Sequence, residues 1–181
     1  MKPSPRIPGR RALALLLGLA LSLAAAACSA PKYDPQIDDQ ITATQTLANA
    51  LIERLIGLDE ELRLLPAAPA SKADRELLAS TREEASYRAN RPAYEEIRTE
   101  LTSLRTRMAA RGSASTPEIL NTVTELRNIL VAPPAGPGAP ATSMQARHAA
   151  GGRLSAAFLT STQAQANALF ETLLTYEMTL R

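Results

Sequence analysis

Tryptophan is missing from this 181-residue chain, and cysteine and histidine occur once each, as Cys28 and His148. A single cysteine closes no intramolecular disulfide, so stability must come from packing. Zinc and iron sites need clustered His, Cys or carboxylate ligands, and these two isolated residues supply none, so neither a metal nor another cofactor is expected. Ser-His-Asp chemistry would have to use His148. No serine stands in a Gly-x-Ser-x-Gly setting, however, and His148, close to Gly151-Gly152, reads as an exposed histidine near a helix start. The eight glycines form no phosphate-cradling loop. Aromatic residues make up 3% of the chain, so neighbouring helices meet through aliphatic and small side chains rather than aromatic bulk. No strand-like alternation of apolar and polar residues occurs anywhere. The acidic runs Asp38-Asp39, Asp59-Glu60-Glu61, Glu83-Glu84 and Glu95-Glu96 do not make catalytic pairs either. Adjacent residues on a helix point about 100° apart, and a solvated face explains them. With no converging catalytic set, the sequence does not read as that of an enzyme.

What is present begins with a leader. Lys2, Arg6, Arg10 and Arg11 precede an apolar run from Ala12 to Ala27 that ends in small residues, the three-part form of an export signal. The run holds 16 residues, short of the about 20 that a spanning helix needs, and polar sequence follows it. Arg10-Arg11 also admits a twin-arginine route, although most of the residues expected around such a pair are missing. The only cysteine stands where the signal ends. Ala25-Ala26-Ala27-Cys28-Ser29 resembles the lipobox cleaved after diacylglycerol transfer to the thiol, with Ala25 where leucine is usual. Residues 1–27 then form a lipoprotein signal peptide and 28–34 a lipidated tether, with acyl chains on Cys28 as the membrane contact. The competing reading is ordinary cleavage after Ala-x-Ala, which leaves a free thiol. Ser29, rather than Asp, after the cysteine resembles the signal for transfer to the outer membrane, where the chain would face the periplasm from the inner leaflet.

Removing the leader changes the charge. Four of the 20 basic residues and none of the 18 acidic ones lie in residues 1–28, leaving 16 against 18, a net charge of −2. Such a domain has no electrostatic reason to bind nucleic acid.

The rest of the chain, residues 35–181, reads as one all-α domain of about four helices. Asp34-Pro35 is a start signal, and Ile37, Ile41, Thr44, Ala48, Leu51, Leu55, Leu58, Leu62 and Leu65 recur at alternating spacings of four and three, widened by Leu47 and Ile52. Pro66 and Pro69 stop this first helix, predicted over 35–65. Ser71 with Asp74 starts a second, predicted over 72–111 and closed by a left-handed Gly112. Its stripe is Tyr87, Asn90, Tyr94, Ile97, Leu101, Leu104 and Met108, and because it runs through Pro92 one kinked helix is favoured over two. Ser115-Thr116-Pro117-Glu118 opens a third helix over 116–131, carrying Ile119, Val123, Leu126 and Leu130. Residues 132–142, with four prolines and two glycines, read as a flexible connection. The last helix, over 143–181, is diluted by Gly151-Gly152 and strongest in Leu159, Thr162, Ala166, Leu169, Leu173, Tyr176 and Leu180. Four one-sided helices are most simply satisfied by an antiparallel bundle, with a long hairpin or oligomeric coiled coil as the alternative.

One cluster stands out as a candidate site. Tyr87, Asn90 and Tyr94 put two phenols and an amide on one stripe, flanked by Arg98, which would suit a small polar pocket or a partner contact. The plainer reading is a layer at the bundle end whose hydroxyls reach water, with Asn90 fixing helix register. Arg98 and Arg105 would attract an anion, but Glu95 and Glu96 are placed to neutralise them.

Tyr33-Asp34-Pro35-Gln36-Ile37-Asp38, the central run from Ile97 to Arg107 (Ile-Arg-Thr-Glu-Leu-Thr-Ser-Leu-Arg-Thr-Arg) and the closing Leu173 to Arg181 are similar to an uncharacterised family of small helical proteobacterial lipoproteins. The resemblance covers nearly the whole chain after the leader. It implies an envelope-anchored helical protein, and it carries over no functional residue beyond Cys28. Two functions are therefore expected. The first is a non-catalytic interaction or structural module meeting an envelope protein partner. The alternative is a periplasmic small-molecule or lipid-binding bundle with a pocket between helices near Tyr87 and Tyr94.

Overall fold

The computed structural model describes residues 33–68, 70–112, 115–133 and 140–181, and the protein is all-α. Cys28, the leader and residues 134–139 of the predicted connection lie outside the described residues. Six helices follow one another among those described: α1 (Pro35–Leu64), α2 (Lys72–Glu84), α3 (Tyr87–Ala110), α4 (Pro117–Leu130), α5 (Met144–Gly151) and α6 (Ala156–Thr179). None of them is long and apolar enough to cross a membrane.

Helix starts follow the sequence closely. Asp34 accepts from the Gln36 N–H at 3.0 Å with Pro35 pre-set behind it, Ser71 accepts from Asp74 at 3.0 Å, and Thr116 accepts from Ile119 at 3.4 Å. Gly112 takes the left-handed conformation at φ 63°.

Four long helices form the core, ordered α1, α3, α4, α6 around a ring in which each neighbour is antiparallel. Gln40 reaches Glu100 and Arg107 reaches Gln36, which sets α1 and α3 antiparallel, and Arg105 reaches Thr124 between α3 and α4. Between α1 and α6, Gln45 and Asn49 both donate to the Asn167 side-chain Oδ1 at 3.0 Å, and Gln163 reaches Glu53 while Arg181 reaches Asp38, so the two helices run in opposite directions. Ile37, Ile41, Leu51, Leu55, Ile97, Leu101, Leu104, Val123, Leu126, Leu130, Leu159 and Leu173 interdigitate in the middle. Truncating any one of them to alanine would cost about 2–5 kcal/mol.

Three expectations are corrected. The predicted helix over 72–111 is two helices, and the break falls at Ala85-Ser86 rather than at Pro92. Ser86 caps α3 by accepting from the Ala89 N–H at 3.2 Å, and the Asn90 amide donates back to the carbonyls of Glu84 and Ser86 at 2.7 and 2.8 Å. Pro92 lies on the exposed side of α3 about one and a half turns from its start, and the chain passes through it without ending the helix. The predicted helix over 143–181 is also two, α5 and α6. Gly152, at φ 68°, donates its N–H to the His148 carbonyl and turns the chain out of α5, and Ser155 then caps α6.

The third correction is to the buried stripe of α6, which after Ala166 runs Phe170, Leu173 and Glu177 instead of Leu169 and Tyr176. Phe170 fills the core, and Glu177, fully buried, meets Arg111 from the end of α3 in a two-pronged ion pair at 2.7 and 3.1 Å.

Near the start of α1, Tyr33, Asp38 and Arg181 close on one another. Tyr33 donates to Asp38 at 3.0 Å, and Arg181 donates to Asp38 at 2.6 Å while lying over the Tyr33 ring.

Candidate functional site

The end of the bundle opposite this clasp is built from the α2–α3 break, α5 and the start of α6. Tyr87, Asn90, Tyr94 and Arg98, spaced by three and four along α3, all face it. The structure brings the four together, and what covers them is α5.

Tyr94 is fully buried, and its hydroxyl lies 2.9 Å from Nδ1 of His148. On the other side of the imidazole, Nε2 lies 2.8 Å from the Ala85 carbonyl oxygen. A carbonyl only accepts, so Nε2 carries the proton and Nδ1 is left to accept from the Tyr94 O–H. Both ring nitrogens are thus committed in the neutral form. Burial holds the His148 pKa below the ordinary imidazole range, against the opposing effect of the Ala85 hydrogen bond, and burial likewise pushes the Tyr94 phenol well up, helped by Tyr87. The rings of Tyr87, Tyr94 and His148 pack mutually with centroids 5.8 to 5.9 Å apart.

A second chain of bonds runs alongside. Gln145 of α5 donates to the Tyr87 hydroxyl at 2.9 Å and accepts from Arg98 at 2.5 Å. Arg98 also reaches the Val131 carbonyl and pairs with Glu95, as the sequence implied. The expectation of an exposed His148 is therefore overturned: it is fully buried, at the end of α5 rather than at a helix start. The tyrosine hydroxyls likewise meet side chains of α5 instead of water, and Asn90 ties the α2–α3 break. In this arrangement α5 fills the space facing Tyr87 and Tyr94 that a ligand between the helices would need.

Beside this cluster, Asp59 at the end of α1 is 2% exposed, which corrects its reading as part of a solvated acidic face. It accepts from Arg153 at 2.6 Å and from the Ala156 N–H at 2.9 Å, and pairs with Arg63 at 3.1 Å. Burial alone would raise its pKa. The Ala156 hydrogen bond and the two guanidiniums outweigh that, and the carboxyl sits below its usual range.

Between α5 and the start of α6 an open groove of about 560 Å³ is lined by Arg147, Arg153, Leu154, Ser155 and Phe158, and no carboxylate lines it. Arg147 lies 4.7 Å from the Phe158 ring centroid and donates to the Ala141 carbonyl, without a carboxylate partner among the described residues. Arg153 and Arg63 share the one carboxylate of Asp59.

The sequence reading missed His148, Gln145, Asp59 and the groove. Each depends on α5 being a separate helix, for which Gly151-Gly152 followed by Ser155 was the available signal. Among the described residues no group of His, Cys, Asp or Glu is placed to hold a metal ion. In comparisons with known proteins, no family model, no curated protein and no solved structure matches the chain.

Proposed function

We propose that this chain is a cell-envelope lipoprotein acting as a non-catalytic helical interaction module. It is tethered through acyl chains on Cys28 to the inner leaflet of the outer membrane, faces the periplasm, and docks an acidic segment of a partner protein in the groove between α5 and α6. The leader and the lipobox-like Ala25-Ala26-Ala27-Cys28 support the tether, and two or three acyl chains make such an anchor stable where one binds only marginally.

The observation that carries the docking reading is the groove itself. It is rimmed by arginines, free of lining carboxylates and floored by Leu154 and Phe158, in a domain whose net charge after the leader is negative. Its local charge is opposite to that of the whole domain, which suits an acidic partner. Its place fits as well. From Pro35, beside Tyr33, to Asp59, which holds Arg153 at the groove, α1 rises by 59 − 35 residues at roughly 1.5 Å each, about 36 Å from the end that follows the tether.

The test is site-specific photocrosslinking in cells, with the photoreactive residue at Phe158 and, as a control, at Thr172 on the exposed side of α6. The reading expects a discrete adduct from position 158 only, with a crosslinked peptide rich in Asp and Glu, that is lost when Arg147→Glu is added. An adduct insensitive to the charge reversal, or equal adducts from both positions, would refute it.

A further inference from the structure

We propose that α5 is an acid-released latch: neutral His148, bridged between Tyr94 and the Ala85 carbonyl, fastens α5 over α3, and its protonation frees the helix and takes apart the groove to which α5 contributes Arg147. The control of docking rests on the reading of that groove as a docking site, whereas the release of α5 stands by itself.

Three features of α5 make it separable. Its eight residues are too few to hold a helix in water without tertiary support, since an isolated helix shorter than about 12–15 residues is marginal. Half of its four buried side chains are polar: Met144, which reaches the main core, and Ala146 are apolar, while Gln145 and His148 reach α3 through hydrogen bonds. It is also bounded on one side by Gly152, whose N–H bonds to the carbonyl of His148 itself. The latch residue is thus also the one on which the helix terminates.

Protonation attacks this joint directly. A proton on Nδ1 turns the acceptor facing Tyr94 into a donor, so the Tyr94 hydroxyl must rotate to accept across the 2.9 Å contact, which takes away the acceptor of its own buried proton. The new charge would sit on a side chain with no exposed surface.

The surroundings do not compensate. From α3 the ring is faced by Tyr87 and Tyr94, with Arg98 a turn further on, paired to Glu95 and bonded to Gln145. On the other side, Ala85 lines one small cavity with Asp59 and Arg153, and that carboxylate is already shared by Arg153, Arg63 and the Ala156 N–H. On α5 itself the adjacent charge is another cation, Arg147. Glu95 and Asp59 are both engaged, and no anion among the described residues is left for an imidazolium.

The sign follows from linkage. The docked state disfavours the proton and the undocked state accepts it near the ordinary imidazole value of about 6.5, so docking weakens as pH falls below that value. The docking constant falls by up to about tenfold per pH unit until the docked form itself takes up the proton. Local opening of this kind is expected to leave the rest of the bundle folded, because α1, α3, α4 and α6 pack on one another directly and α5 gives the main apolar core one side chain, Met144.

The experiment uses the full chain, purified without a histidine tag, so that His148 is its sole imidazole. Amide hydrogen exchange, corrected for intrinsic rates, is compared at pH 7 and pH 5. Protection across residues 143–151 is expected to fall at least tenfold while α1 and α6 keep theirs, and His148→Gln is expected to show no such pH response. In parallel, the imidazole proton resonance reports its own titration, which does not rely on the variant folding: it is expected to titrate below the ordinary value, with α5 signals changing in step. Unchanged protection at pH 5, the same acid response in His148→Gln, or an ordinary titration uncoupled from α5 would each overturn the latch. The Phe158 photocrosslink at the two pH values separates the two ideas. Release of α5 with no adduct at either pH refutes docking but not the latch. An adduct equal at both pH values despite release of α5 refutes control of docking by the latch.

Discussion

Replacing Arg111 with alanine should be among the most damaging single changes in this fold. Glu177 is fully buried on α6, and Arg111, 12% exposed, meets both of its carboxylate oxygens. Deleting the arginine strands a carboxylate in the interior, which typically costs about 3–5 kcal/mol, far more than the up to about 1 kcal/mol expected of a surface pair. A domain spanning residues 35–181, at about 0.05–0.15 kcal/mol per residue, has roughly 7–22 kcal/mol in total, so the loss is a sizeable fraction of it. At about 2–4 °C per kcal/mol the melting temperature should drop by roughly 6–20 °C. Urea unfolding at pH 7, followed by helical circular dichroism, measures the change as a shift of midpoint at constant slope. A companion double variant, Arg111→Met with Glu177→Leu, removes both charges and should recover most of the loss, because a buried ion pair exchanged for apolar side chains of similar volume is often neutral. An Arg111→Ala loss under about 1 kcal/mol, or a double variant no better than the single, would refute the claim that an uncompensated buried charge is what does the damage.

Two further predictions concern the groove end. Asp59→Asn keeps the shape but strips the charge that holds Arg153, Arg63 and the start of α6. Because the folded-state carboxyl pKa is lowered, the stabilisation is fully present above the unfolded value of about 4 and is lost as pH falls through the folded one. The stability gap between wild type and variant should thus be constant from pH 6 to 8 and close as pH falls below about 4, which paired urea titrations would show. Asn90→Ala removes the amide that serves the Glu84 and Ser86 carbonyls. It should cost about 1–3 kcal/mol and speed hydrogen exchange in α2 ahead of α1, and an α2 that exchanges as in wild type would count against a joint role for Asn90.

The long helices were legible because their signals are local and redundant. In α1, Asp34-Pro35 at the start, the four-and-three spacing from Ile37 to Leu58 and Pro66 at the end agree with one another, and the helix forms as they indicate. The break at Ala85-Ser86, which has neither proline nor glycine, was not legible. Ser86 is a competent cap, but reading it as one requires knowing that Asn90 turns back to hold the preceding carbonyls, and that is a property of the folded turn. Pro92 drew attention as the conspicuous helix breaker, yet close to the start of α3 and on its exposed side it leaves the helix intact. In α6 the spacing allowed either Leu169 and Tyr176 or Phe170 and Glu177 to face inward, and the partner Arg111, 66 residues away, selects the second set.

The candidate cluster was half legible for the same reason. Tyr87, Asn90, Tyr94 and Arg98 share a helical face by spacing alone, whereas their partners Gln145 and His148 lie more than 45 residues further along the chain. A lone histidine near two glycines looks exposed until α5 is folded over α3. Asp59, in an acidic triplet, looks solvated until Arg153 and the start of α6 arrive beside it.

The proposed tether is measured directly by intact mass together with membrane fractionation of the native protein beside Cys28→Ala. The account predicts a native form that begins at Cys28, carries the added mass of its acyl chains and sediments with membranes, and a variant that loses both the added mass and the membrane association. A native protein of unmodified mass in the soluble fraction, or a Cys28→Ala variant that stays membrane-bound, would contradict it.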